Sequence, residues 1–161
     1  MLIESSLGEL IRNTEQIDTT KRHHIADTVR MTGGIQFAKL EQGNILVTAK
    51  TDNGYKPTLK LPLEQSDSGS VTITLTDGTS ETFNPVNMNN DDVQASCNCD
   101  DFFFRLATPS AKSGVLFGKI DHAPYIRKGT RRNNIEPITK PGLCKHLLKL
   151  TRMLRAQAIV S

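Results

Sequence analysis

VQASCNCDDFFFR, residues 93–105, and KPGLCKHLLKL, residues 140–150, decide how this chain is read. Between them they hold all three cysteines, Cys97, Cys99 and Cys144, and His146 stands two residues after the last. The result is two donor pairs, Cys-x-Cys and Cys-x-His, each with a polar residue, Asn98 or Lys145, between its members. An odd cysteine count argues against a disulfide framework, and a bridge between Cys97 and Cys99 would close a strained ring. Free thiols or metal ligands remain, and two paired spacings from only three cysteines favour a metal over three separately buried thiols beside a chance histidine. Three thiolates and an imidazole are a zinc donor set, tetrahedral with Zn–S near ~2.3 Å and Zn–N near ~2.0 Å. One zinc with four protein ligands has no vacancy at which to activate water, so the expected site is structural.

The spacing constrains the backbone. Helical residues two apart point about 200° away from each other, so Cys144 and His146 cannot both lie mid-helix and share an ion. Cys144 is expected in an extended entry after Pro141-Gly142, with His146 in the first helical turn. The helix then runs from Leu143 to about Ile159, with Leu143, Leu147, Leu150, Leu154 and Ala158 on one face. On the other side, VQASC and FFFRLA are expected as two strands flanking a turn at residues 98–100. Phe102, Phe103 and Phe104 break strand alternation, which predicts a strand buried on both sides with two of the three rings inside; an aromatic anchor into a partner is the alternative. Asp100 and Asp101 are expected to cap the turn.

Toward the N-terminus, Ser6 and Glu9 form a capping-box pattern for a first helix over 5–13, with Leu7, Leu10 and Ile11 on one face. A second helix is expected over 20–31, capped by Asp18 or Thr19, with Ile25, Ala26 and Val29 inward and Gly33-Gly34 ending it. One of His23 and His24 is expected exposed and the other partly buried. IQFAKL, NILVTAK, TLKLPL and VTITLT alternate as strands, with turn signals at Asp52-Asn53-Gly54 and Asp77-Gly78 and a polar loop over 65–70. The fold class is α+β: N-terminal helices (1–34), a small antiparallel β region (35–92), and a zinc-pinned hairpin with a C-terminal helix (93–161). The last segment encloses a long basic loop (107–141).

The Cys-x-Cys, gap, Cys-x-His order resembles the SWIM-type zinc finger, whose ligands sit on a β-β-α unit. The resemblance covers about residues 93–159, with Cys97, Cys99, Cys144 and His146 at the ligand positions; the gap of 44 residues is longer than usual for that family. SWIM domains imply DNA or protein binding. CNCDDFFFR, SGVLFGK, APYIRK and RRNNIEPITKPGLCKHLLKL also resemble small zinc-motif proteins encoded among the structural genes of tailed bacteriophages, which implies a virion part.

Composition fits an assembled protein. A hydrophobic fraction of 37%, an aromatic fraction of 5% and no Trp make a lean core, of the sort that leans on a metal or partner. The net charge of +3 conceals a division: residues 97–161 have 12 Lys and Arg against 4 Asp and Glu, net +8, and residues 1–96 have 8 against 13, net −5. Tyr125, Arg127, Lys128, Arg131 and Arg132 are the candidate partner or nucleic-acid contacts, as an arm on a neighbouring subunit or as a phosphate-binding loop. The arm is favoured because few aromatics interleave with the charges. His122 is a less suitable substitute for His146. No secretory signal or membrane span is read, nor any phosphate loop or hydrolase motif. The expectation is a non-enzymatic zinc protein that binds other virion proteins or copies of itself, assembled in the host cytoplasm into the virion. It would take no small-molecule substrate; the alternative is a nucleic-acid-binding zinc module.

Overall fold

The computed structural model describes residues 5–16, 22–40, 43–118 and 139–161. The elements in chain order are β1 (Ser5–Ser6), α1 (Leu7–Gln16), α2 (Arg22–Ala26), β2 (Gln36–Lys39), β3 (Asn44–Thr48), β4 (Thr58–Pro62), β5 (Val71–Thr74), β6 (Ser80–Phe83) and β7 (Asp92–Ser96). A π-helical stretch (Phe102–Leu106) then leads into α3 (Ala107–Lys112), and α4 (Lys145–Ala156) follows.

The class is α+β, as expected from the sequence. The main sheet has five strands in the order β1-β7-β4-β3-β2, every neighbouring pair antiparallel. Alternation builds its inner face. Ile45 and Val47 on β3, Leu59 and Leu61 on β4, and Val93 and Ala95 on β7 are buried, while the residues between them are half-exposed. β5 and β6 form a separate two-stranded hairpin, so the single sheet expected over about 35–84 is divided in two. Its turn carries Gly78 at φ +89°, a left-handed conformation that glycine adopts without steric cost. Leu7 and Leu10 of α1 join Leu147, Leu150 and Leu154 of α4 and the sheet's inner face in one core.

Several boundaries move. The first helix is Leu7–Gln16, with the expected Ser6 cap accepting from the Glu9 N–H at 3.3 Å. The second is shorter, Arg22–Ala26; Ala26 is buried, but Ile25 faces outward and Val29 lies beyond the helix, half-buried. His23 is half-buried and His24 exposed. Residues 18 and 19, proposed as its cap, lie outside the described residues. α4 stops at Ala156, and Ala158 is exposed at φ +59° rather than on the apolar face. Its amide donates to Arg155 O and that of Ile159 to Leu154 O, each at 3.0 Å, which closes the helix in a Schellman motif.

FFFRLA, expected as a strand, is helical. Phe102, Leu106, Ala107, Pro109 and Ser110 are buried at helical spacing, and Asp100 and Asp101 precede the stretch, where acids favour a helix start. One ring of the three, Phe102, is inside. The position beside β7 that the expected hairpin partner would have taken belongs to residues 115–117. Ala95 N–H donates to Val115 O at 2.8 Å and Phe117 N–H to Ala95 O at 3.0 Å, in a parallel bridge. Residues 107–118 are therefore ordered as helix and bridge, not loop.

Candidate metal centre

Each donor pair sits where an extended segment gives way to a helix. β7 ends at Ser96; Cys97 and Asn98 continue without regular structure, and the chain turns helical directly after Cys99. The Phe103 N–H donates to Cys99 O at 2.9 Å, and the Phe102 N–H points at Cys99 Sγ at 3.5 Å. At the other pair, Cys144 is the extended N-cap of α4, φ −73° and ψ 170°, and His146 is the second helical residue. Cys144 O accepts from the Leu148 N–H at 2.9 Å. This is the bent entry that the Cys-x-His spacing requires.

The four side chains converge. The Sγ atoms of Cys97, Cys99 and Cys144 and a ring nitrogen of His146 all lie within 4.8 Å of one another. Cys97 Sγ is 3.8 Å from His146 Nδ1. In a tetrahedral site with thiolate and imidazole ligands the donors stand about 3.5–3.8 Å apart, so a small contraction brings the set onto one ion. All four residues are buried, and the cysteines form no disulfide. The Cys₃His group could hold a metal ion; among the described residues it is the one group of its kind.

Electrostatics favours a cation here. Hydrogen bonds from the Cys144 and Cys97 thiols hold the Cys99 thiol far below its ordinary range. Burial, then contact with Cys97 and Cys99, pushes Cys144 well above that range. At Cys97 a hydrogen bond with Cys144 pulls downward, but the Cys99 sulfur and burial outweigh it and raise the thiol to about 12. One thiolate cradled by two reluctant thiols is what three crowded sulfurs do without a counter-charge. A dication lets all three ionise.

The surroundings fix the donors. The Lys56 N–H donates to Asn98 Oδ1 at 2.8 Å, tying the Cys-x-Cys turn to the β3–β4 connection. The Tyr55 ring lies 4.9 Å from that of His146, tilted by 36°. Arg22, 2% exposed, grips Asp101 with two hydrogen bonds of 2.7 Å, so Asp101 serves α2 rather than only the turn. Thr14 Oγ1 accepts from the Leu143 N–H at 2.9 Å. Tyr55, Arg22 and Thr14 escaped the sequence reading: each is far from the cysteines along the chain, and none has donor company at ligand spacing.

Tyr125, Arg127, Lys128, Arg131 and Arg132, and also His122, lie outside the described residues. No described helix is long and apolar enough to cross a membrane. No protein-family model matches this chain, and neither a curated protein nor a solved structure matches it.

Proposed function

We propose that this chain is a zinc-stabilised structural and assembly protein of a tailed bacteriophage virion, at a capsid, neck or tail position. It acts through contacts with copies of itself and other virion proteins and catalyses no reaction. The observation that carries the structural-metal part is the convergence of four buried donors. Three sulfurs and an imidazole are the soft set that zinc takes, and four protein ligands fill a tetrahedral shell, leaving no position for water or substrate. The donor order resembles that of the SWIM-type finger, with a strand, β7, before the first donor pair and a helix, α4, starting at the second. Here a helix, not a second strand, follows Cys99. Phe103 and Phe104, 37% and 43% exposed, stand edge-to-face close to the centre; aromatics of this kind are favoured at protein interfaces.

The virion placement rests on the resemblance of residues 97–150 to phage structural zinc-motif proteins. Mass spectrometry of purified particles tests it. The protein is expected among the particle's constituents in fixed proportion to the other structural proteins, and its absence from the particles overturns the placement. The net +8 of residues 97–161 favours one second reading, a nucleic-acid-binding module. That reading requires a gel shift with DNA or RNA at low salt that fades steeply as salt rises.

A further inference from the structure

The inference below rests on the reading of Cys97, Cys99, Cys144 and His146 as a metal centre and concerns what holds it in register. Each donor pair is tied to an N-terminal helix by side-chain hydrogen bonds, the Cys144 pair to α1 and the Cys97–Cys99 pair to α2; α2 also packs on α4, where Arg152 Nη2 donates to His23 O at 3.0 Å. Behind Cys144 and His146 stands α1. Thr14 Oγ1 donates to Leu10 O at 2.7 Å and accepts from the Leu143 N–H at 2.9 Å, both bonds buried. Asn13 Nδ2 donates to Pro141 O at 3.1 Å. The segment leading into Cys144 is thus held by α1 at two points.

The tie to the Cys97 and Cys99 pair comes from Arg22 of α2. Arg22 lies 79 residues from Asp101 in sequence and meets it through Nε to Oδ2 and Nη2 to Oδ1. A fork of this type fixes orientation as well as distance. Asp101 is two residues past Cys99 and directly precedes Phe102, whose N–H points at the Cys99 sulfur. The guanidinium is buried, and a buried cation that loses its carboxylate is strongly disfavoured. Seating α2 therefore demands the position of Asp101, which lies between Cys99 and the Phe102 N–H that points at the Cys99 sulfur.

We infer that Thr14 and Arg22 are positioning residues of the metal centre, and that the seating of α1 and α2 is coupled to occupancy of the four-donor site. Coupling of this kind is reciprocal. Zinc tightens the N-terminal helices, and the helices tighten the hold on zinc. Loss of the ion would loosen residues 7–16 and 22–26 ahead of the rest of the described fold.

The test uses the full chain and zinc itself, with affinity read by competition against a chromophoric chelator. Arg22→Met and Asp101→Asn are each expected to weaken zinc binding by about tenfold or more, the range typical of groups that orient ligands. The double variant should be no weaker than the stronger single, because both remove one clamp. Thr14→Val should weaken binding independently. Lys39→Met, which breaks the surface pair with Glu81, should leave zinc affinity unchanged. Hydrogen exchange on the wild type should show amides of residues 7–16 and 22–26 gaining protection on zinc addition. Where Arg22→Met does not fold, Arg22→Lys, which keeps the charge but loses the fork, is read in its place. Wild-type zinc affinity in the Arg22 and Thr14 variants, with melting temperatures lowered equally with and without zinc, overturns the inference and leaves the metal centre standing. A wild-type chain that takes up no zinc overturns both.

Discussion

Cys97 shows at the scale of one residue how the site constrains pH behaviour. Its ordinary thiol value is 9.0, and in the metal-free fold it is raised to about 12. A raised value means that the folded chain keeps a proton that the unfolded chain releases. That contribution to stability is complete below pH 9 and is lost as pH rises toward 12. Cys144 is raised as well and acts in the same direction, while Cys99 is lowered and its contribution is constant across this window. Urea denaturation of the metal-free protein should therefore show stability falling between pH 9 and 12. The zinc-loaded protein, with its thiols already ionised, should not show this cysteine-dependent fall. Ala158 offers a second case. It occupies the left-handed position of the Schellman motif closing α4 at φ +59°, a conformation that costs an L-residue about 1–2 kcal/mol. Ala158→Gly is expected to stabilise the protein by about 1 kcal/mol, read as a higher denaturation midpoint.

At the scale of the element, the stretch after Cys99 separates helix from strand by mutation. On a strand, Phe102 and Phe104 would share a face and lose comparable amounts on truncation. On the helix observed, Phe102 is 2% exposed and the next two rings face outward. Phe102→Ala should cost about 3–5 kcal/mol, as burial of a large ring dictates, and Phe103→Ala and Phe104→Ala much less, measured by chemical denaturation. The sequence misled here because three aromatics in a row carry β propensity, whereas the helical spacing of Phe102, Leu106 and Ser110 becomes decisive only once the core that receives them exists. β3 and β4 were legible because Ile45, Val47, Leu59 and Leu61 alternate without interruption. The Ser6 cap and the leucine face of α4 were legible for the same reason: each signal is local. The division of the sheet depends instead on β7, a late strand, inserting between β1 and β4, a long-range choice that no local pattern announces.

At the scale of the whole molecule, the donor set was readable because metal chemistry restricts it to few residue types, while the side chains that orient it were not. Arg22 and Thr14 bond to Asp101 and Leu143, neighbours of the donors that lie 79 and 129 positions away along the chain. Cys97 follows directly on β7, which is interior to the five-stranded sheet, so the three donor cysteines and the sheet's inner face share one core. Structural zinc binding in small fingers is worth about 10–16 kcal/mol, comparable to the whole ~5–15 kcal/mol stability of an ordinary domain. If zinc occupies the four-donor site, a contribution of that size would dominate the stability of a chain with a 5% aromatic fraction. Chelation at neutral pH is expected to lower the melting temperature steeply and to expose the chain to protease.

X-ray absorption at the zinc edge of the purified full chain reads the ligands of the four-donor site one shell at a time. One zinc per chain with three sulfur neighbours near ~2.3 Å and one nitrogen near ~2.0 Å is expected, with loss of that spectrum in Cys144→Ser. Zinc surrounded by oxygen and nitrogen alone, or a folded chain that holds none, would contradict it.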